Sequence, residues 1–169
     1  MEATEDFLSF VYLMAPMVLP DTFVGGKHIV IIARKLQQVE EGTIKRLMIC
    51  LPPGSMKSKL CTLLFPAWVL GRHLSWPLLQ ISHSTRLAED FGGKLRDLLK
   101  EEEYRDIFPE VKLRSDTRAA GRWKLTKGAE YFAAGSGSHI AGFRARVAGL
   151  DEVISEQMAT SKLAMQTVG

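Results

Sequence analysis

A lysine and a serine close a short stretch rich in proline and glycine. Residues 51–58 read LPPGSMKS, with Lys57 and Ser58 last, and apolar runs lie on both sides. A strand, a tight loop and a helix in this order are typical of a phosphate-binding loop, in which loop N–H groups and the helix N-terminus hold phosphate oxygens. Lys57 would reach the outer phosphates, and the Ser58 hydroxyl would bind Mg²⁺.

The match to the common pattern, G-x-x-x-x-G-K-[ST], is incomplete. Leu51 and Met56 stand where that pattern has glycine, which lets the backbone come close to phosphate. The alternative interpretation is an ordinary turn at Pro53 and Gly54, followed by an exposed lysine. These eight residues alone leave both interpretations open.

Two adjacent carboxylates follow a second apolar run late in the chain. Asp151 and Glu152 come directly after residues 147–150, which read VAGL. In a phosphoryl-transfer site, Asp151 would hold Mg²⁺ and Glu152 would orient and polarise the attacking water. Alternatively, both carboxylates belong to the first turn of a helix expected at 155–165, a position that favours negative charge.

A flexible segment with cationic residues precedes those carboxylates. Residues 135–142, which we call the Gly/Ser loop, are followed by Arg144 and Arg146. Either arginine could stabilise phosphate charge. The alternative is a surface loop with solvated arginines.

Composition predicts one ordinary globular domain. The chain has 169 residues, of which 46% are hydrophobic and 24% charged, and its net charge is +3. This charge neither requires nor excludes a nucleic-acid partner.

Cys50 and Cys61 lie in apolar runs and are expected to be buried free thiols, and the histidines show no spacing for a structural metal. The apolar residues 7–20 contain prolines and are too short to span a bilayer, so we expect neither secretion nor a membrane partner.

Periodicity and turn residues place helices and strands in alternation along the chain. Helices are expected at 6–15 (ending before Pro16), 27–41, 57–71 (kinked or divided at Pro66), 85–100 and 155–165; strands are expected at 45–51, 77–83, 123–125, 130–134 and 147–150; residues 104–120 are expected to be irregular. This alternation predicts an α/β fold with a largely parallel sheet. Both candidate motifs then follow strands, at the sheet edge where ligands collect.

Several stretches together resemble the ATPase domain of phage large terminases, the motors that package DNA into procapsids. The family's loop also has paired prolines and a methionine before its lysine, as residues 52–58 do. The likeness extends over residues 26–29, 42–49, 65–72, 81–84, 88–90, 121–123, 135–142 and 155–157. It is strongest to the terminases of tailed phages of cyanobacteria, and it covers nearly the whole chain.

The resemblance implies an ATP site within a P-loop NTPase fold. That fold is a three-layer sandwich of the ASCE class, expected to be incomplete here, with a helical segment at 1–44 packing on an ATPase core at 45–169. The implied cofactors are ATP and Mg²⁺. The residues that the resemblance assigns are Pro53, Gly54, Ser55, Met56, Lys57 and Ser58 for ATP, Ser58 and Asp151 for the metal, Lys57 and Glu152 for catalysis, and Arg144 as an arginine finger or sensor.

The resemblance also implies a function and partners. The domain would hydrolyse ATP to drive double-stranded viral DNA into the procapsid, as a ring of identical subunits working with the portal protein and the small terminase subunit in the host cytoplasm. Large terminases are longer than this chain, so we expect a fragment or truncated product without the nuclease domain. Two alternatives remain: a helicase-like ATPase that moves on nucleic acid, and a nucleotide-binding module without turnover.

Overall fold

The computed structural model describes residues 2–19, 23–116 and 119–153. Three helices come first: α1 at Glu2–Glu5, α2 at Phe7–Val18 and α3 at Lys27–Glu40. The predicted helix at 27–41 is confirmed by α3, which buries Ile29, Ile32, Ala33 and Leu36 at helical spacing.

The expected end of the second helix before Pro16 is wrong. Helix α2 begins after Asp6, whose carboxylate accepts a hydrogen bond from Ser9 N at 2.6 Å, and continues through Pro16 to Val18. Pro16 lies within the last turn and removes only the hydrogen bond to the carbonyl of Tyr12, a residue exposed to solvent. The apolar face of the helix remains buried, which outweighs that loss.

The helix expected at 57–71 is present, and its winding changes at Phe65, one residue before Pro66. The chain becomes helical at Lys57, winds as a π-helix over Lys59–Leu64 and continues as α4 at Phe65–Arg72. Pro66 stands at the start of α4, directly after the π-helical turns, and has no N–H with which to continue their hydrogen bonding.

Four strands form one mixed sheet. They are β1 at Leu78–Ser82, β2 at Arg122–Lys124, β3 at Glu130–Gly135 and β4 at Val147–Leu150, in the spatial order β2-β3-β1-β4. Strand β1 is parallel to β3 and to β4, whereas β2 and β3 form the predicted antiparallel hairpin. A mixed α/β fold with a mostly parallel sheet is therefore confirmed, and the carboxyl ends of β1, β3 and β4 lie at one edge.

The predicted strand at 45–51 is wrong. Its residues alternate between partly buried positions, such as Leu47 and Ile49, and exposed ones, such as Met48 and Cys50, but the segment pairs with none of the described strands. A cavity of about 360 Å³ separates it from β4. Without a neighbour for its N–H and C=O groups, an apolar run with strand-like alternation forms no ladder.

Helix α5 at Thr85–Leu98 confirms the predicted helix and packs on the sheet. Ser84 Oγ caps it by accepting a hydrogen bond from Leu87 N at 3.3 Å. On its buried side, Gly92 allows close packing, because a Cβ there would lie 2.4 Å from the Ala120 carbonyl oxygen. The Trp123 indole donates to the Gly92 carbonyl at 3.2 Å, which fixes the helix against β2.

Two short helices, α1 and α6, were not predicted. Helix α6 at Glu102–Ile107 lies partly in the region expected to be irregular. The side chain of Tyr104, which lies on α6, is fully buried, and its hydroxyl donates to the Ala67 carbonyl at 2.8 Å. Burial of this ring supplies a tertiary contact that the local charge pattern does not reveal.

The N-terminal helices pack on α4 within the same hydrophobic core. The Phe7 ring contacts the rings of Phe65 and Trp68, with centroids 5.5 and 5.3 Å away, and the Trp68 indole donates to the Ala3 carbonyl at 3.0 Å. None of the helices in the described ranges is long and apolar enough to cross a membrane. The helix expected at 155–165 lies outside the described residues.

Candidate functional site

The loop lysine and the first late carboxylate form an ion pair. Lys57 Nζ lies 3.1 Å from Asp151 Oδ1, and the two side chains are 29% and 9% exposed. Lys57 begins the helical stretch after the loop, and Asp151 follows β4, where its backbone N–H extends the pairing with β1 by donating to the Ile81 carbonyl at 2.9 Å. The two predicted motifs therefore meet at the carboxyl edge of the sheet. We call this contact the Lys57–Asp151 pair.

Thr62 holds the second oxygen of the same carboxylate. Its hydroxyl donates to Asp151 Oδ2 at 3.1 Å from the buried face of the π-helical segment. Asp151 thus has a fixed orientation, with one oxygen towards the lysine and the other towards the threonine. A carboxylate held in this way is well placed to accept a metal ion or to position a cation.

The electrostatics of the site favour a charged lysine. The hydrogen bond from Lys57 to Asp151 raises the pKa of the ammonium above its usual value, and the charges of Asp151 and Glu152 act in the same direction. Burial, with the nearby charge of Asp151, raises the pKa of the Cys61 thiol to about 12. Cys61 is therefore a neutral thiol beside the pair, and it is partly buried, whereas the expected burial of Cys50 is wrong because that thiol is exposed.

The candidate loop is a tight turn with unusual backbone angles. Ser55 Oγ donates to the Pro52 carbonyl at 2.6 Å, closing the turn. Gly54 has a φ of +79°, and Met56 has a φ of +63°, in the left-handed region that side chains other than glycine rarely adopt. Pro53 and Gly54 are exposed at the tip. The loop backbone is therefore accessible to a ligand immediately before Lys57.

The second carboxylate has similar backbone strain. Glu152 has a φ of +50° and is exposed, and among the described residues it is the only non-glycine besides Met56 with a positive φ. Strained angles of this kind persist where surrounding contacts hold them, and they are common at functional sites. Here Met56 directly precedes Lys57 in the sequence, and Glu152 directly follows Asp151, so each member of the Lys57–Asp151 pair has a strained neighbour.

The Gly/Ser loop continues the same edge of the sheet. Ser136 N donates to the Ser82 carbonyl at 2.8 Å, and Ser138 Oγ lies 3.3 Å from Thr85 Oγ1. Gly135 makes this approach possible, because a Cβ there would lie 2.7 Å from the Thr85 nitrogen. The loop therefore touches the start of α5, close to the end of β1.

Other predicted residues are not in contact with the pair. Ser58 is placed one residue beyond Lys57, but its hydroxyl does not hydrogen-bond to Asp151. Arg146 lies at the opposite edge, where its N–H donates to the Pro77 carbonyl and its guanidinium lies 4.9 Å from the Trp76 ring centroid. Strand β4 separates Arg146 from Asp151 by five residues, roughly 16 Å. Arg144 also precedes β4 and is exposed.

A cavity extends from the pair along the free side of β4. Its volume is about 360 Å³, and its walls include Lys57, Asp151, Leu36 and Phe65, together with β4. The walls combine apolar and polar residues, and Lys45 and Arg46 line the cavity in addition to the Lys57–Asp151 pair. The cavity is thus continuous with the site.

Sequence reasoning missed three residues of the site: Thr62, His83 and Cys61 in its role beside the pair. Thr62 lies five residues after Lys57, a spacing that shares one face in a π-helix, and the π-helix itself leaves no simple signal in the sequence. His83 follows β1 and contacts the Glu152 backbone. The sequence did place His83 directly after a buried strand, where residues of a ligand site are expected.

No protein-family model matches the chain, and no curated protein matches it. The chemistry of the site is therefore inferred from its own residues: an accessible loop backbone, a charged lysine, a fixed aspartate and an exposed glutamate at one sheet edge.

Proposed function

We propose that this chain is an ATPase domain of the phage large terminase type, which hydrolyses ATP to move double-stranded DNA into a procapsid. The observation that carries the proposal is the contact between Lys57 and Asp151 at the carboxyl edge of the sheet. This is the arrangement that a P-loop NTPase needs, with its phosphate-binding lysine and its metal-binding carboxylate on either side of one phosphate chain. The finer fold assignment, a P-loop NTPase of the ASCE class, is part of this proposal.

The residues present fit magnesium held together with a nucleotide. Mg²⁺ prefers oxygen ligands and usually keeps several waters, with one or two protein ligands and the phosphates completing its shell. Asp151 and the Ser58 hydroxyl would be the protein ligands, and residues 53–58 would hold the phosphates. When bound, the metal would neutralise charge on the phosphate oxygens.

The protein residues have separate tasks in the proposed reaction. Lys57 has to turn from Asp151 to the phosphate oxygens, and an ordinary lysine pKa already makes it a cation at neutral pH. Glu152, exposed beside the pair, would accept a proton from the attacking water as the water oxygen bonds to the γ-phosphorus. The bond between that phosphorus and the oxygen of ADP breaks, giving ADP and inorganic phosphate.

One experiment tests the site. Phosphate release is measured with and without a blunt DNA duplex for the native chain, Lys57→Ala, Glu152→Gln and the control Lys94→Ala, an exposed lysine paired with Asp90 on α5. We expect turnover in the native chain and in Lys94→Ala, and at least a hundredfold less in the other two. Turnover that survives Lys57→Ala would contradict the proposed site.

A second candidate is a nucleotide-binding module without turnover. It is favoured by the segment 45–51, which precedes the loop but is not paired with the described sheet, so the loop lacks the strand support expected of an active site. Binding of Mg-ATP without phosphate release would favour this candidate. Strand separation of a forked duplex would instead favour a helicase-like ATPase.

The proposed partners follow from the same resemblance. They are viral double-stranded DNA, the portal protein, the small terminase subunit and further copies of the chain in a ring at the procapsid, in the host cytoplasm. DNA contact in such a motor is made through phosphates and is independent of sequence. Binding should therefore weaken steeply as salt is raised, and this slope can be measured with any duplex of suitable length.

A further inference from the structure

The backbone of Glu152 requires an external restraint. Its φ of +50° places a side-chain-bearing residue in the left-handed region, where Cβ comes too close to the following carbonyl oxygen. The side chain is exposed and contributes no burial that would compensate. Contacts from neighbouring elements must therefore hold this conformation.

His83 provides that restraint, because its backbone and its ring both contact the Glu152 carbonyl oxygen. Its backbone N–H donates to the Glu152 carbonyl at 2.8 Å, and its ring Nδ1 lies 3.2 Å from the same oxygen. Because a carbonyl oxygen only accepts, Nδ1 must carry the hydrogen in this contact. The histidine thus fixes the peptide plane that follows Glu152 and, with it, the direction of the glutamate side chain.

His83 is itself held from the other side by the Gly/Ser loop. Ser136 N donates to the Ser82 carbonyl at 2.8 Å, and Ser136 Oγ donates to the His83 carbonyl at 3.4 Å. The end of β1 therefore lies between the Gly/Ser loop and Glu152. This connection gives the imidazole a defined place, although it belongs to neither predicted motif.

We propose that His83 is a positioning residue, which directs Glu152 towards the attacking water through its backbone. This inference rests on the proposed function, because it assigns Glu152 the task of accepting the proton. His83 acts through the Glu152 carbonyl and touches no reacting atom. Its contribution should therefore appear in the rate of the chemical step and leave nucleotide binding unchanged.

The test compares His83→Ala with His83→Asn, whose side-chain amide can donate where Nδ1 does. We expect His83→Ala to lower kcat about tenfold, a change of about 1.4 kcal/mol in the barrier, with KM for Mg-ATP within about twofold of the native value. His83→Asn should recover most of the rate. The control is His28→Ala, an exposed histidine on α3, which should behave as the native chain does.

A double substitution separates positioning from a merely structural role. If His83 acts through Glu152, His83→Ala combined with Glu152→Gln should be no slower than Glu152→Gln alone. Additive losses, or a raised KM with unchanged kcat, would overturn the positioning role. Thermal unfolding of each variant shows whether the fold is retained.

The outcomes also distinguish this inference from the function on which it rests. Turnover by the native chain that is unaltered in His83→Ala overturns the role of His83 and leaves the proposed function intact. A native chain that binds Mg-ATP and never releases phosphate, with or without duplex DNA, overturns both.

Discussion

Lys57 Nζ lies 3.1 Å from Asp151 Oδ1, so the cation that would bind phosphate is already paired with the carboxylate that would bind the metal. A nucleotide can use Lys57 only by replacing this contact. In the proposed ATPase, the aspartate would therefore compete with ATP for the lysine unless Mg²⁺ occupied the carboxylate. In the proposed function, Asp151 would therefore have a large part in any effect of magnesium on nucleotide binding.

Asp151→Asn should abolish most of that magnesium effect. The amide no longer binds the metal or competes for Lys57 as an anion. We expect Mg²⁺ to improve ATP binding by at least about tenfold in the native chain and by less than about twofold in the variant. Titration of each protein with a fluorescent ATP analogue, once in Mg²⁺ and once in EDTA, measures the magnesium effect on its affinity. An equal response in the two proteins would place the metal elsewhere.

Thr62→Val should destabilise the fold through the same carboxylate. The substitution removes the donor to Asp151 Oδ2 while leaving the shape of the side chain similar. Because hydrogen bonds to charged groups contribute more than neutral ones, we expect a loss of about 1.5–3 kcal/mol in the free energy of unfolding in urea. Thr62→Ser keeps the hydroxyl and serves as the control. Equal losses in the two variants would contradict the prediction, because Thr62→Ser keeps the donor to Asp151 and Thr62→Val does not.

Stability should fall as pH rises from 9 to 10 because of Cys61. In the unfolded chain this thiol ionises near its ordinary pKa of 9.0, whereas in the folded protein its pKa is about 12. The unfolded state then binds fewer protons, so the free energy of unfolding decreases by up to about 1.4 kcal/mol per pH unit, and the contribution is fully present below pH 9. Cys61→Ala should reduce this slope, and Cys50→Ala should keep it. Identical slopes in urea titrations of the two variants would contradict the prediction.

Backbone strain predicts opposite effects at two positions. Glu152→Gly should raise the free energy of unfolding by roughly 0.5–1 kcal/mol, because glycine removes the left-handed penalty but loses more entropy on folding. Gly54→Ala should lower it by a similar amount, since a Cβ there meets nothing within 4 Å and only strain is added. Glu152→Gln keeps the strain and should leave stability near the native value. If Glu152→Gln raises the free energy of unfolding as much as Glu152→Gly does, the loss of the negative charge and not the relief of strain explains the gain.

Local sequence signals predicted most of the sheet and its helices. Alternation and turn residues identified β1, the β2–β3 hairpin and β4, and Ser84 marked the start of α5, because these signals act within a few residues. Residues 45–51 carry an equally good strand pattern and yet lie outside the sheet. Pairing depends on a neighbour from elsewhere in the chain, and no local pattern encodes it.

The site was predictable in its motifs and less so in its supporting contacts. The approach of Lys57 to Asp151 follows from parallel strands, which bring distant loops to one edge. Thr62 contacts Asp151 from a π-helical segment, and His83 contacts the carbonyl of Glu152, a residue with a left-handed φ. Both depend on backbone geometry that residue types do not specify. The role of Arg144 near phosphate stays a prediction, for a residue that is exposed and precedes β4.

The exposure of Cys50 gives the native protein a built-in attachment point for a probe. The chain has two cysteines, and the second, Cys61, is protected by burial and by its high pKa, so a maleimide dye at neutral pH should modify Cys50 selectively. Cys50 stands two residues before Pro52, where the turn towards Lys57 begins. A fluorophore there would report rearrangement of the loop in real time, without any engineered residue.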